Sequence, residues 1–133
     1  MTSKVIYKGS LRTEAEHLQS GSRMITDAPL DNHGKGEAFS PTDTLATALA
    51  TCMLTVMGIK AEDIGVDMTN TSADITKSRS SNPRRISKIE VNISFPLSYT
   101  DKETKILENT ARNCPVLLSL HPEVEKLISF KYR

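Results

Sequence analysis

Two cysteines, Cys52 and Cys114, are the side chains best suited to chemistry in this sequence of 133 residues. A cysteine pair can cycle between two states: one thiolate attacks an oxidant and becomes a sulfenic acid, and the second thiol condenses with it to a disulfide. The alternative is that both are core residues, which are inert because burial in apolar surroundings raises a thiol pKa. Sequence spacing by itself leaves both interpretations open.

A zinc site is the other chemistry that these residue types allow. The available ligands would be the two cysteines together with His17, His33 and His121. No two of these five residues lie at the close spacing that is typical of metal sites. We therefore expect no metal site in this chain.

Residues 40–62, which contain Cys52, carry the pattern of a long helix. Ser40 is a suitable N-cap, Pro41 fits the first helical position, and Asp43 completes a capping box three residues after the cap. About twenty residues at 1.5 Å each give a rod of roughly 30 Å, the diameter of a small domain. Cys52 is thus expected at the middle of a central helix.

No charged residue occurs between Thr44 and Ile59, so this helix lacks the polar face of a surface helix. We therefore expect burial on most of its sides. Only 38% of the residues are hydrophobic and there is no tryptophan, which leaves little to cover such a helix and favours an obligate homodimer. The helix is long enough to cross a bilayer, but its threonines, Pro41 and Asp43 favour a soluble helix and no membrane partner.

Short strand patterns and a second helix surround the central helix. Three segments, 5–8, 11–18 and 23–28, are separated by Gly and Ser and predict an antiparallel meander. The later elements are a weak strand over 65–78, an alternating strand over 89–95 after a turn at Asn82-Pro83, a capped helix from Thr100 to Cys114, and a last strand through Ile128, Phe130 and Tyr132. This order predicts an α+β fold, with antiparallel sheet packed on the central helix, in a single domain over residues 1–133.

The charge balance excludes some classes of partner. A net charge of +1 gives no reason to expect binding to nucleic acid or to a charged membrane. The one basic cluster, Lys77, Arg79, Arg84 and Arg85, flanks the Asn82-Pro83 turn and is typical of a solvated hairpin tip. No signal-peptide pattern precedes Lys4, and two cysteines are too few for a disulfide framework, so we expect a cytoplasmic protein.

Four segments, taken together, resemble a known family. They are GSLRTEAEH at 9–17, TDAP at 26–29, SPTDTLATALATC at 40–52 and the NCPV that contains Cys114. In this order they resemble the OsmC/Ohr family of osmotically inducible and organic hydroperoxide resistance proteins. The resemblance implies an intertwined homodimer with two active sites at its interface. It also implies reduction of organic hydroperoxides by two cysteines, an arginine and a glutamate, without metal or prosthetic group.

Matched residue by residue, the resemblance implies that Cys52 is the peroxidatic cysteine and Cys114 the resolving one. It implies that Arg12 stabilises the thiolate and orients the peroxide, a role that suits a guanidinium because it does not lose its proton. From the residues alone, the pattern favours Arg12 as an exposed strand residue paired with Glu14 or Glu16. Arg23 is the second candidate for the arginine.

The carboxylate departs from the family pattern. The hydroperoxide-reducing branch carries glutamate directly after the helix-starting proline, where this chain has Thr42. Asp43 follows, at the position where an OsmC-like branch carries glutamate. Nine helical residues separate Asp43 from Cys52, so the two side chains leave opposite faces, and Asp43 is either a capping residue or an active-site acid. Glu37 is another candidate partner for Arg12.

Two functions follow as expectations. The first is a thiol-dependent peroxidase that reduces organic hydroperoxides through Cys52 and Cys114 and is restored by an external dithiol. The alternative is a weakly catalytic or non-catalytic module, for redox sensing or small-ligand binding, on the same fold. Thr42 at the expected glutamate position motivates this alternative.

Overall fold

The computed structural model describes residues 1–133 and has the α+β composition that the sequence predicts. It contains two three-stranded sheets and three α-helices. The chain divides into two compact units, residues 1–45 and 46–133. The assignment of the whole chain to a single domain stays a prediction.

The first unit contains the predicted antiparallel meander. Its strands are β1 (Ser3–Gly9), β2 (Arg12–His17) and β3 (Arg23–Asp27), which pair in the order β1-β2-β3. The β1–β2 turn places Gly9, Ser10 and Leu11 at positive φ, and the register shifts there, so that Gly9 lies opposite Arg12. The next pairing places Arg12 opposite Asp27. Register thus brings an arginine and an aspartate together at one end of the sheet.

Helix α1 (Pro41–Ile64) begins where its capping pattern predicts. The N–H of Asp43 donates to Ser40 Oγ, and the N–H of Ser40 donates back to Asp43 Oδ2, both at 3.0 Å. The two bonds satisfy donors that the first turn of a helix otherwise leaves unpaired. A short 3₁₀ helix (Leu30–Asn32) lies in the loop that precedes it.

The single chain buries only one face of α1, whereas the uncharged sequence predicted burial on most sides. The buried residues follow helical spacing and are Ala46, Leu49, Ala50, Met53, Met57 and Ala61. On the other side, Leu45 is 44% exposed and Ile59 is 60% exposed. By length and composition α1 could also span a membrane, but the core helices of soluble proteins can have the same length and apolar composition.

The second unit contains β4 (Ser72–Ser80), β5 (Arg85–Ser94), α2 (Asp101–Ala111), α3 (Pro115–Ser119) and β6 (Glu125–Lys131). Strands β4 and β5 form the predicted hairpin around Asn82-Pro83. The prediction of a wholly antiparallel sheet is wrong for β6, which pairs parallel to β5. The reason is the connection: α2 and α3 carry the chain back to the starting end of the sheet, as a parallel pair requires.

The buried core of the second unit is made by side chains of α1, β5 and α2, with Cys114 among them. Its aromatic part joins Phe95 and Tyr132, whose rings stack with centroids 4.6 Å apart. Tyr99 meets Phe95 edge-on at 5.6 Å. The Tyr132 hydroxyl donates to Glu108 Oε2 at 2.7 Å, so its polar end is satisfied. Met53 and Met57 are fully buried in this core.

Candidate functional site

The two cysteines belong to the second unit and lie on different helices. Cys52 is half-buried on α1, and Cys114 is fully buried. The sequence placed Cys114 at the end of the second helix, but α2 stops at Ala111. Cys114 is instead the N-cap of α3, and the Leu117 N–H donates to its sulfur at 3.4 Å. Pro115 at the first position of α3 explains the break, because proline has no N–H to continue the preceding helix.

The structure brings the two thiols together. Both are free cysteines, and Cys52 lies close enough to Cys114 to influence the pKa of its thiol. Burial is the main cause that raises the pKa of the Cys114 thiol, and the neighbouring Cys52 raises it further. Cys114 is therefore held protonated at neutral pH, beside a second thiol that reaches solvent more easily. Two adjacent thiols of unequal exposure suit a cycle in which one is oxidised first and the other then closes a disulfide.

We expect iodoacetamide at pH 7.5 to modify Cys52 at least about tenfold faster than Cys114. The thiolate is the reactive form, and Cys114 is buried and has a raised thiol pKa. Mass spectrometry of peptides after timed labelling measures the two rates. The chain unfolded in guanidinium is the control, in which the two rates should converge. Slow labelling of both thiols in the native chain would contradict this expectation and favour an inert core pair.

Arg12 forms a bidentate salt bridge with Asp27 in the first unit. Arg12 Nε and Nη2 donate to the two carboxylate oxygens at 2.7 and 2.8 Å. Asp27 is 3% exposed, whereas about a third of the Arg12 side chain reaches solvent. Hydrogen bonding from Arg12 is the main cause that lowers the pKa of Asp27, and the backbone N–H of Glu37 contributes to it. The Glu37 carboxylate lies 3.6 Å from Arg12 Nη2, at the edge of the pair.

The alternative in which Arg12 pairs with Glu14 or Glu16 is wrong. Both glutamates lie beside Arg23 instead, with Glu14 Oε1 at 2.8 Å and Glu16 Oε2 at 4.0 Å from its guanidinium nitrogens. Arg23, the second candidate for the arginine, is therefore engaged on its own part of the sheet. Arg12 pairs with Asp27 because the two residues lie directly opposite each other on β2 and β3. Spacing along β2 alone did not indicate this partner.

Asp27 is the functional candidate that sequence reasoning missed. It is the aspartate of the TDAP segment, one of the four segments that resemble the family. In the sequence, the feature that indicated a contact with Arg12 was the position of Asp27 at the end of the strand that follows the Arg12 strand in the meander. Glu37, which sequence reasoning did name, is present beside Arg12 but makes the longer contact.

Asp43 serves the start of α1. Its Oδ2 accepts the Ser40 N–H, and the Thr42 hydroxyl lies 3.2 Å from Ser40 Oγ. Thr42 and Asp43 therefore both contribute polar contacts to the helix cap. An active-site role for Asp43 stays a prediction.

A mostly apolar, open cavity of about 610 Å³ lies in the first unit. Met24, Ile25, Ala38 and Phe39 supply its apolar wall, and Glu37 and Asp43 also line it. No three His, Cys, Asp or Glu side chains cluster closely enough to hold a metal ion. The cavity is of the size that accommodates a small organic molecule.

Comparison with known proteins identifies the family. Residues 34–126 match the sequence profile of the OsmC-like proteins. A candidate osmotic stress induced and detoxification response protein from Psychrobacter arcticus 273-4 is 53% identical and superposes with a TM-score of 0.95, over 98% of this chain and 95% of that one. No curated protein sequence matches the chain.

Two more distant structures share the fold. One is an OsmC like protein from Mycoplasma pneumoniae, 17% identical, with a TM-score of 0.81 over 98% of this chain and 94% of that chain. The other is an organic hydroperoxide resistance protein OsmC from Legionella pneumophila, 15% identical, with a TM-score of 0.74 over 98% and 97%. The profile match over most of the chain, together with the Psychrobacter relative, shows that this chain belongs to the OsmC-like protein family.

Proposed function

We propose that this protein is a thiol-dependent peroxidase that reduces organic hydroperoxides. The observation that carries the proposal is the proximity of Cys52 to Cys114, the first half-buried and the second fully buried, in a chain of the OsmC-like family. A structural relative from Legionella pneumophila is described as an organic hydroperoxide resistance protein.

The proposed cycle has three balanced steps. The Cys52 thiolate attacks the distal oxygen of the hydroperoxide, the O–O bond breaks, and the alcohol leaves with a proton while Cys52 becomes a sulfenic acid. The Cys114 thiol attacks that sulfur, water is released, and a disulfide forms. An external dithiol then reduces the disulfide by exchange and is itself oxidised to a disulfide.

Arg12 is proposed to stabilise the Cys52 thiolate and to orient the peroxide oxygens, as the family resemblance implies. Its two-bonded contact with Asp27 supports this role, because an oriented guanidinium presents its remaining N–H groups in a defined direction. Asp43 is retained as a second candidate acid, with its contact to the helix cap as its observed role.

We also propose that the working form is a homodimer in the cytoplasm. Leu45 and Ile59 on α1 and Val5, Ile6 and Tyr7 on β1 are all strongly exposed in the single chain. Exposed apolar side chains of this size favour an interface, and a second copy would bury the uncovered side of α1. A reducing compartment would keep both cysteines as thiols between turnovers.

Sedimentation equilibrium at micromolar concentration is expected to give twice the chain mass of 14.7 kDa. The physical reason is the free-energy gain on removing the exposed apolar side chains from water. An Ile59→Glu variant should shift the protein toward the monomer mass, whereas Lys60→Glu, one residue along the same helix, serves as the charge control. A wild-type protein of 14.7 kDa under these conditions contradicts the homodimer.

A redox-sensing module on the same fold is the competing function. It is favoured by Thr42 at the expected glutamate position and by the engagement of Asp43 in the helix cap. In such a module Cys52 would be oxidised once and would then persist in that state instead of turning over.

Sustained turnover separates the two functions. Purified protein is mixed with excess cumene hydroperoxide and dithiothreitol, and cumyl alcohol is quantified against the amount of protein. Many equivalents of alcohol per chain support the peroxidase, and about one equivalent with Cys52 left oxidised supports the sensor. A chain whose Cys52 is not oxidised at all contradicts both.

A further inference from the structure

The second unit contains a cavity that lies away from its two thiols. Its volume is about 290 Å³, at the lower end of the range for small-molecule sites, and neither cysteine lines it. One wall belongs to the second half of α1, and the other belongs to the loop that follows the helix. The helix contributes Leu54, Gly58, Ala61 and Glu62, and the loop contributes five residues between positions 66 and 71.

The end of α1 turns the chain back to form the second wall. The Gly65 N–H donates to the Glu62 carbonyl at 3.3 Å, and the Val66 N–H donates to the Ala61 carbonyl at 3.0 Å. These two bonds form a Schellman motif, which needs a left-handed residue after the helix, and Gly65 has a φ of +75°. The sequence of the helix end therefore fixes where the loop begins.

Two hydrogen bonds at Asp67 hold the loop in place. The Thr69 N–H donates to Asp67 Oδ1 at 2.8 Å, which closes a local turn. The Tyr99 hydroxyl donates to the Asp67 carbonyl oxygen at 2.6 Å and ties the loop to a distant part of the unit. The cavity is therefore already formed in the unliganded chain.

Gly58 forms an open floor between these walls. Its backbone is helical, and apart from its neighbours in α1 no atom lies within 4 Å of the position that a Cβ would occupy. Neither the backbone conformation nor a close contact within the chain requires glycine here, although glycine is less favourable than alanine inside a helix. What the missing side chain provides is space, one helical turn from both Leu54 and Glu62.

The lining residues combine negative charge with apolar surface. Glu62 and Asp67 are both carboxylates, and no lysine or arginine lines the cavity. Hydrogen bonds from the N–H and hydroxyl of Thr69, without any nearby cation, lower the pKa of Asp67, so its charge is present at neutral pH and is not neutralised. The apolar surface comes from three larger side chains, Leu54, Val66 and Met68.

We propose that this cavity binds small organic cations, with an ammonium group at Glu62 and Asp67 and an apolar body over Gly58 and against Leu54. An ammonium group donates up to three hydrogen bonds, and a carboxylate that accepts bonds from Thr69 still has acceptor capacity left. The proposal is independent of the peroxidase function, because neither cysteine lines the cavity.

Phenethylammonium is the probe, and 2-phenylethanol is the neutral control of similar shape. Each is titrated into ¹⁵N-labelled wild-type protein, and ¹H–¹⁵N correlation spectra give both the affinity and the place of binding. We expect the largest changes in chemical shift within residues 54–71. Phenethylammonium should bind at least about fivefold more tightly than the alcohol, which is the size of effect that exposed charge pairs produce.

Gly58→Leu tests whether the open floor is needed. Leucine is a good helix former, so the fold should be retained, whereas its side chain fills the space above the helix. Both probes should then bind at least about tenfold more weakly. Thr51→Leu adds the same side chain at an exposed position of α1 that does not line the cavity, and should change both affinities less than about twofold.

A double variant, Glu62→Gln with Asp67→Asn, tests the role of charge. The new asparagine keeps an acceptor for the Thr69 N–H, so the turn should remain. The two probes should then bind within about twofold of each other. Asp63→Asn with Asp74→Asn removes two exposed carboxylates that do not line the cavity, and should keep the preference for the ammonium.

Four outcomes would overturn the proposal. The first is equal wild-type affinity for the two probes, and the second is a set of shift changes outside residues 54–71. The third is binding that Gly58→Leu leaves unchanged. The fourth is a folded Gly58→Leu protein whose mass in sedimentation equilibrium differs from that of the wild type, because Gly58 would then serve a contact between copies of the chain.

Discussion

Replacing Cys52 by serine should reduce the rate of organic hydroperoxide reduction by about 10³-fold or more. The expected loss is large because a serine hydroxyl stays protonated near neutral pH and is a far weaker nucleophile than a thiolate. Consumption of cumene hydroperoxide with dithiothreitol as the reductant measures the effect. The change of one sulfur to oxygen on a half-buried helix position should leave the fold intact.

Cys114→Ser is the matched variant for this experiment. It should still form one equivalent of sulfenic acid at Cys52, detectable with a dimedone probe, but should form no disulfide within the chain. Its turnover then depends on direct attack of the external thiol on the sulfenic acid. A Cys52→Ser variant as active as the wild type would contradict the mechanism, and a wild-type chain that forms no Cys52–Cys114 disulfide after oxidation by the hydroperoxide would contradict the assigned pair.

Phe95→Ala should lower the free energy of unfolding by about 3–5 kcal/mol, which is the usual cost of removing a buried phenylalanine ring. Phe95 is 4% exposed, stacks on Tyr132 and Phe130 and meets Tyr99 edge-on, so its removal leaves a cavity and breaks three aromatic contacts. Urea unfolding followed by far-ultraviolet circular dichroism measures the change. Protein concentration must be held constant, because the stability of a dimer depends on it.

Phe39→Ala is the control for this stability experiment. It makes the same chemical change at a loop residue that is 57% exposed in the single chain, and should cost less than about 1 kcal/mol. Equal losses of unfolding free energy for the two variants would mean that Phe95 contributes no more to stability than an exposed phenylalanine. Such a result would contradict the position of Phe95 in the core.

Local sequence signals predicted where the two long helices start. Ser40 with Asp43 and Thr100 with Glu103 form the expected capping boxes, because these bonds join residues only three positions apart. The meander of the first unit was predictable for the same reason, since short turns leave adjacent strands few ways to pair. Strand β6 was recognised by its alternation, but its direction was not.

The sequence predicted individual residues of the candidate site but not the contacts between them. Cys52 and Cys114 were named from residue type and family resemblance, and Arg12 from the resemblance alone. Their chemistry depends on contacts that join residues far apart in the chain. Asp27, fifteen residues after Arg12, became visible only when the strand register placed it opposite the guanidinium.

By itself, the sequence determined the family, the α+β composition, the capped central helix and the two thiols, because each depends on residue type or on neighbours within a few positions. Only the tertiary structure decided that Cys52 and Cys114 meet, that Asp27 holds Arg12, that β6 runs parallel to β5, and that α1 keeps one apolar face uncovered. The physical reason is that burial and pairing between distant residues depend on the path of the whole chain.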